Sequence, residues 1–103
     1  ILKRAPEVTA VFAMADVIAI GAMRALADAG LRVPEDVSVI GYDGLKIGSF
    51  YTPKLTTISQ QLAPLTRRSF DLLLDCIEHG ASARHLTVPF TLSVRESVRS
   101  ITE

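Results

Sequence analysis

Residues 8–43 decide the fold of this chain, and they read VTAVFAMADVIAIGAMRALADAGLRVPEDVSVIGYD. The apolar run at 8–14 is rich in strand formers and predicts a strand buried on both faces, as in parallel sheets. Residues 17–29 are strong helix formers, and Gly30 is the residue type that ends a helix in a left-handed conformation. A second buried strand is predicted at 37–41. This order predicts an α/β fold built on a βαβ unit with a right-handed crossover.

The predicted helix has an apolar side and a more polar, solvent-facing (wetter) side. Asp16 stands at its start, where a carboxylate can accept hydrogen bonds from the first helical amides. Arg24 and Asp28 mark the wetter side. The side predicted to face the core contains Ile18, Gly21, Ala22, Ala25 and Leu26.

Beyond the βαβ unit, the sequence predicts a turn, a short helical segment and a further strand. The turn is Tyr42-Asp43-Gly44, at the carboxyl end of the second strand. One or two helical turns are expected within 45–51, before Thr52-Pro53 ends them. Residues 55–59 are rich in β-branched types and predict an extended segment.

A long amphipathic helix follows, from Leu62 or Pro64 to His79, with Gly80 as its stop. Two short strands are predicted after it, at 86–88 and 90–94. The predicted core side of the helix contains Leu62, Leu65, Ser69, Leu72 or Leu73, and Cys76 or Ile77.

Composition excludes several classes of protein. Hydrophobic residues make up 49% of the 103 residues, which rules out intrinsic disorder, and the single cysteine rules out a disulfide scaffold. Eleven basic residues balance eleven acidic ones, and the isoelectric point is near 6.9. Nucleic-acid-binding domains are strongly basic, so no nucleic-acid surface is expected within these residues. The apolar stretch at 8–23 carries Asp16 near its middle, which disfavours a membrane span.

Two carboxylates stand where ligands bind in α/β sheets. Asp16 and Asp43 each follow the carboxyl end of a predicted parallel strand, and the crevice beyond such ends is the usual ligand site. There they would accept charge-assisted hydrogen bonds from a small polar ligand. Plainer interpretations remain open: Asp16 as a helix cap, Asp43 as a turn residue and Gln60 as an exposed amide.

Catalytic and cofactor signatures are not apparent. His79 and His85 have no nucleophile or metal-ligand partner at a meaningful spacing, and Cys76 is expected to fill core. The glycines near residue 43 lack the spacing of a nucleotide-binding loop. We therefore expect no metal, no cofactor and no enzyme activity, with an enzyme using Asp16 and Asp43 as acid and base as the weaker alternative.

Five blocks resemble the LacI/GalR family of transcriptional repressors over residues 8–98. The 33–43 block is the most specific of them, and the match is to the last third of such a protein. The blocks are Thr9-Ala-Val-Phe-Ala-Met-Ala-Asp16, Ala19-Ile-Gly-Ala22, Gly30-Leu-Arg-Val-Pro-Glu-Asp-Val-Ser-Val-Ile-Gly-Tyr-Asp43, Pro53-Lys-Leu-Thr-Thr57 and Arg95-Glu-Ser97.

The resemblance implies a fold like the type I periplasmic sugar-binding proteins, with two α/β lobes around a ligand cleft. Residues 1–60 and 90–98 would belong to the C-terminal lobe, and residues 61–89 to part of the N-terminal lobe. The hinge crossings would lie near 58–60 and near Pro89. The DNA-binding headpiece is expected outside these residues. A partial pair of lobes leaves faces uncovered, so we expect this chain to associate with the missing segments or with copies of itself.

The resemblance also implies ligand contacts and a dimer interface. Asp43 matches an aspartate that bonds the effector, and Gln60 matches a cleft-facing position. Many members have a polar residue where this chain has Ala15, and this departure makes Asp16 a structural residue or a partner at the cleft edge. The interface candidates are Ile20, Met23 and Tyr51, with ordinary core or surface packing as the alternative.

The implied function is effector sensing by a cytoplasmic, homodimeric transcriptional regulator. A small polar effector would set the relative orientation of the lobes and so control DNA binding; a sugar is the family default, and purine-like and other effectors are the alternatives. No membrane partner is expected. The principal alternative is a periplasmic sugar-binding protein that serves transport.

Overall fold

A computed structural model describes residues 2–80, 82 and 84–102. Four strands and three helices alternate along this part of the chain. In order they are β1 (Ala10–Phe12), α1 (Asp16–Asp28), β2 (Ser38–Asp43), α2 (Ile47–Phe50), β3 (Thr56–Ser59), α3 (Leu62–His79) and β4 (Thr91–Ser93). The strands form one sheet in the order β1-β2-β3-β4. The predicted α/β class is confirmed.

The predicted βαβ unit is present. β1 pairs in parallel with β2 and β2 in parallel with β3, whereas β4 is antiparallel to β3. The register places Asp43 opposite Ser59, at the carboxyl ends of β2 and β3. Right-handedness of the crossover stays a prediction. Gly30 and Gly80 follow their helices at φ values of 76° and 62°, as the stop signals predicted.

The core lies between α1 and the sheet. It consists of apolar side chains from the residue after β1, from α1, from β2 and the residue before it, and from the residue before β3: Ala13, Ala19, Met23, Leu26, Val37, Val39 and Leu55. No described helix combines the length and the apolar composition that crossing a membrane requires.

The expectation of a first strand buried on both faces is wrong for this chain. β1 is an edge strand, and Phe12 is 59% exposed. Residues of an edge strand are covered only where another element packs on them, and in this chain α1 covers one side of the sheet.

The buried face of α1 also differs from the predicted one. Its buried residues are Asp16, Ala19, Met23 and Leu26, which form one stripe at helical spacing. Ile18, Gly21 and Ala25 are exposed. Because α1 is apolar on most sides, its pattern did not show which apolar stripe faces the sheet. The predicted and observed stripes differ by one residue along the sequence, which is about 100° around the helix.

β2 is longer than predicted. Tyr42 and Asp43 continue the strand, so the change of direction begins at Gly44, with φ at 81°. The expected helical turn and extended segment are both present, as α2 and β3.

Ser97 joins β2 to β3 near their amino ends. Its hydroxyl accepts a hydrogen bond from the Thr56 amide at 2.8 Å and donates one to the Val39 carbonyl at 2.5 Å. The Val39 amide in turn donates to the Ser97 carbonyl at 2.8 Å. Ser97 is completely buried, so the segment after β4 packs inside the fold, at the amino ends of β2 and β3.

α3 contains no buried residue, although its position was predicted closely. Ile77 is 70% exposed and Cys76 is only half-buried, so the expectation that Cys76 fills core is wrong here. The chain measures 58 × 26 × 25 Å, and its radius of gyration is 18.0 Å, against about 13 Å for a compact chain of this length. The helix therefore lacks the partner elements that would make its apolar side a core.

The strand predicted at 86–88 is not formed. Leu86 and Val88 instead line a groove of about 200 Å³ with Leu65, Ser69 and Leu72 of α3. The prediction at 90–94 is confirmed in its central part, as β4. An extended segment becomes a strand only when a neighbouring strand pairs with it, and among the described residues β3 pairs with β2 and β4 but not with 86–88.

Candidate functional site

Asp43 ends β2 in a strained backbone conformation. Its φ is 133°, a region that residues other than glycine rarely occupy, and its side chain is half-buried. Such outliers cost of order 1–3 kcal/mol and persist where the surrounding structure holds them. They cluster at functional sites, so this backbone makes Asp43 a candidate site residue.

Gln60 holds both the main chain and the side chain of Asp43. Its Nε2 donates a hydrogen bond to Asp43 Oδ1 at 2.8 Å, and its amide N–H donates to the Asp43 carbonyl at 3.3 Å. Asp43 and Gln60, which the sequence placed 17 residues apart, are thus one pair at the ends of adjacent strands. Asp43 Oδ2 makes no side-chain hydrogen bond among the described residues.

Gly44 allows the chain to leave β2 close to β3. A Cβ at this position would stand 2.6 Å from both Cβ and Oγ of Ser59, and φ is positive as well. Only glycine fits both conditions. The turn after Asp43 therefore packs closely against β3, the strand that leads to Gln60.

Asp16 is fully buried beneath this site. Its Oδ2 accepts a hydrogen bond from the Leu45 amide at 2.7 Å, and its Oδ1 accepts one from the Thr57 hydroxyl at 2.5 Å. The cap position of α1 is Ala15, with no side-chain cap. The expectation that Asp16 serves the amides of its own helix is therefore wrong, because its carboxylate bonds two other segments.

Asp16 and Asp43 differ in burial, and therefore in the roles that their carboxylates can have. Asp16 is 0% exposed and has both oxygens engaged, so it offers no atom to a ligand at the cleft edge. Asp43 belongs to a different hydrogen-bond pair. An acid and base acting on one substrate need access to it, so this arrangement gives the enzyme alternative no support. Ala15 is half-buried and brings only a methyl group.

Gly41 is a supporting residue that sequence reasoning missed. A Cβ at this position of β2 would collide with Asp16 Oδ1 and would stand 3.0 Å from Leu55 Cδ2. Thr57 and the Leu45 amide were missed as well. A glycine within a strand signals a close approach, but the sequence did not show that the approaching group is Asp16.

The histidines lie away from the site. His79 Nδ1 is 3.1 Å from Asp75 Oδ1 at the end of α3, and His85 is exposed. Among the described residues, no cluster of three or more histidine, cysteine or acidic side chains is arranged to hold a metal ion.

Two of the three interface candidates line one groove. Met23 and Tyr51 help to line a concavity of about 570 Å³, whereas Ile20 packs against the core and does not line it. Met23 is 2% exposed. It therefore packs in the core, which is the alternative to an interface role that was left open for it. Ile20 and Tyr51 are half-buried and keep exposed surface.

Comparison with known proteins places this geometry in a family. Residues 1–98 match the periplasmic binding protein-like domain. The chain belongs to this family. Within it, the chain is 43% identical over 97 residues to the HTH-type transcriptional repressor PurR of Haemophilus influenzae, covering 90% of this chain and 29% of that protein. The chain spans about 30% of the length of the curated relatives it matches.

Solved structures agree with the sequence relatives. A LacI family transcriptional regulator from Enterococcus faecalis V583 with bound ribose superposes with a TM-score of 0.88 at 38% identity, over 93% of this chain and 36% of that one. The Lac repressor dimer bound to operator and the anti-inducer ONPF gives 0.85 at 37% identity, over 96% and 35%.

These findings confirm the LacI/GalR resemblance and the periplasmic binding protein-like fold. The relatives are transcriptional regulators, in agreement with the prediction that the chain is not an enzyme. They lend no support to the transport alternative.

Proposed function

We propose that this chain forms part of the effector-binding domain of a LacI-type transcriptional regulator, in which Asp43 and Gln60 bind a small polar effector. The observation that carries the proposal is the strained, half-buried Asp43 paired with Gln60. A turn residue alone has no need of a costly backbone and a carboxylate held in place by a neighbouring side chain.

The atoms available at this pair define the ligand. Asp43 Oδ2 is an acceptor, and Gln60 keeps its Oε1 as a second one. Two acceptors side by side suit hydroxyl or amino donors, and hydrogen bonds to a carboxylate are about twice as strong as neutral ones. A sugar offers adjacent hydroxyls, and a structural relative holds ribose. A neutral sugar is therefore the proposed effector class, with Ala15 as an apolar wall beside it.

The uncovered helix supports a second lobe. α3 has no buried residue, yet Phe70, Leu73 and Ile77 lie along one side of it. Since the relatives are about three times as long as this chain, residues outside it are available to cover that side. We propose residues 1–60 and 90–98 as one lobe and residues 61–89 as part of the other, with hinge crossings near 58–60 and Pro89.

The lobes would convert binding into regulation. An effector shifts an equilibrium between two arrangements only by as much as its affinity differs between them. Contacts from Asp43 and Gln60 on one lobe, and from residues outside this chain on the other, would favour a closed arrangement. In a homodimer, this arrangement sets the spacing of two DNA-binding headpieces.

The dimer would form along the groove beside α1. Met23 and Tyr51 line this groove, and Ile20, three residues before Met23 on α1, is half-buried. The Lac repressor, a structural relative, is a dimer bound to operator. Because its target is DNA, we propose that the whole protein acts in the cytoplasm.

Calorimetry on the full-length protein tests the proposal. The wild-type protein is titrated with D-ribose and with a panel of neutral mono- and disaccharides, and operator binding is followed with and without each sugar. Asp43→Ala is expected to abolish the response to sugar while operator binding survives. Asp28→Ala is the matched control, because Asp28 is an exposed aspartate that forms an i,i+4 ion pair with Arg24. An undiminished response of Asp43→Ala would reject the proposal.

A further inference from the structure

The buried carboxylate of Asp16 lies between the two segments that carry the site. Its Oδ2 bonds the Leu45 amide, two residues after Asp43, and its Oδ1 bonds the Thr57 hydroxyl, three residues before Gln60. One side chain at the start of α1 therefore holds both the segment that follows Asp43 and the segment that precedes Gln60.

We propose that Asp16 is a positioning residue, which sets the separation and alignment of Asp43 and Gln60 without contacting the ligand. This inference rests on the proposed function of that pair. Full burial supports the assignment, because Asp16 has no surface that a ligand can reach. Its carboxylate accepts charge-assisted hydrogen bonds from two donors on separate segments, and a neutral amide would make both bonds weaker.

Gly41 gives independent support. It lies in β2 two residues before Asp43, and a Cβ there would collide with the same Oδ1 that bonds Thr57. β2 therefore has a glycine where the Asp16 carboxylate packs against it. The carboxylate is positioned by Gly41 in β2 as well as by Thr57 in β3.

Four substitutions separate positioning from general stability. In Asp16→Asn, the amide oxygen accepts from the Leu45 N–H while the amide NH₂ donates to the Thr57 hydroxyl, so both bonds lose the charge-assisted strength that the carboxylate gives them. Thr57→Val removes the hydroxyl at nearly constant shape, and Thr57→Ser restores it. Ser97→Ala is the control, since Ser97 is equally buried and bonds the same two strands, but near their amino ends.

Amide hydrogen exchange by mass spectrometry on the full-length protein provides the first readout. Asp16→Asn and Thr57→Val are expected to raise exchange at least tenfold in peptides covering 43–46 and 57–61. Thr57→Ser should resemble the wild type, and Ser97→Ala should raise exchange around 39 and 56 instead. If Asp16→Asn accelerates the two site peptides no more than Ser97→Ala does, Asp16 has only a general structural role and the inference is overturned.

Binding of D-ribose, or of the tightest sugar in the panel, provides the second readout. Asp16→Asn is expected to weaken binding at least tenfold, while Ser97→Ala changes it less than threefold at a temperature where both are folded. Equal losses in the two variants would also overturn the inference. Failure of the proposed function is distinguishable, because it appears in Asp43→Ala, whereas failure of this inference appears in Asp16→Asn and in the exchange of the site peptides.

Discussion

Gln60 Nε2 donates a hydrogen bond to Asp43 Oδ1 at 2.8 Å, from the end of β3 to the end of β2. The same glutamine donates its backbone N–H to the Asp43 carbonyl at 3.3 Å. Two bonds to one residue hold Asp43 at a φ of 133°, which its own preferences oppose. The pair therefore combines local strain with an oriented carboxylate, and we expect its two members to respond differently to substitution.

Asp43→Gly and Asp43→Ala separate strain from function. Both remove the carboxylate, so both are expected to abolish the response to sugar. Glycine adopts positive φ freely whereas alanine does not, so Asp43→Gly should be more stable than Asp43→Ala by about 1 kcal/mol after its greater unfolded-state entropy is counted. Urea unfolding of the full-length variants measures the difference. Equal stabilities would show that the backbone at this position is not strained.

Gln60→Glu places a second carboxylate against Asp43. At neutral pH we expect a loss of stability of about 1–2 kcal/mol, from the lost hydrogen bond and from the repulsion of like charges. Repulsion raises the pKa of the pair in the folded state above the ordinary carboxyl value. The folded protein then binds more protons than the unfolded chain, so the variant loses stability as pH rises from about 4 to 7.

Gln60→Met provides the uncharged comparison for this pH dependence. It removes the same hydrogen bond and introduces no charge, so its stability relative to the wild type should stay constant over that pH range. Thermal unfolding at several pH values measures both variants. A parallel pH profile for the two would contradict the contact between Gln60 and Asp43.

Local patterns predicted the elements of this fold, but they did not predict its long-range contacts. The strand-helix-strand order of 8–43 follows from periodicity and stop signals, which operate within one segment. The role of Asp16 depends on Thr57, 41 residues away, so no local pattern contains it. Likewise, nothing in the sequence around Asp43 indicates a positive φ, because the residue is not glycine and its partner is on the next strand.

Exposure of predicted core residues has a different origin. Phe12 and Ile77 have the apolar character of buried residues but no cover in this chain. This chain spans about 30% of the length of the relatives it matches, and the proposed second lobe would supply the cover that these side chains lack here. Burial was therefore predicted correctly only where both partners lie within the 103 residues, as for Leu26 and Val39.

Asp36 is predicted to titrate well below an ordinary aspartate. Hydrogen bonds from the Arg32 side chain and then from its backbone N–H lower the pKa of Asp36 from 3.8 to about 2. Since the folded-state value is depressed, the contribution of this pair to stability is present above pH 3.8 and is lost as pH falls toward 2. The same pairing raises the pKa of Arg32.

Arg32→Gln tests this pairing by NMR titration of the Asp36 carboxyl carbon. The pKa should rise toward 3.8 but stay somewhat below it, because the backbone N–H of residue 32 still donates to Asp36 Oδ2 at 2.8 Å. Arg24→Gln breaks another exposed i,i+4 ion pair, with Asp28, and should leave the Asp36 titration unchanged. A wild-type pKa near 3.8 would contradict the bidentate contact.

The apolar side of α3 is predicted to drive association of the isolated 103-residue chain. Phe70, Leu73 and Ile77 lie three and four residues apart on one side and are each more than half exposed. Burial of such surface contributes about 25 cal/mol per Å², so copies of the chain gain by covering it. Sedimentation velocity should show concentration-dependent association, and Leu73→Lys should shift it toward monomer. Glu78→Lys, on the polar side, should not. A monodisperse monomer that unfolds cooperatively would show that α3 needs no partner.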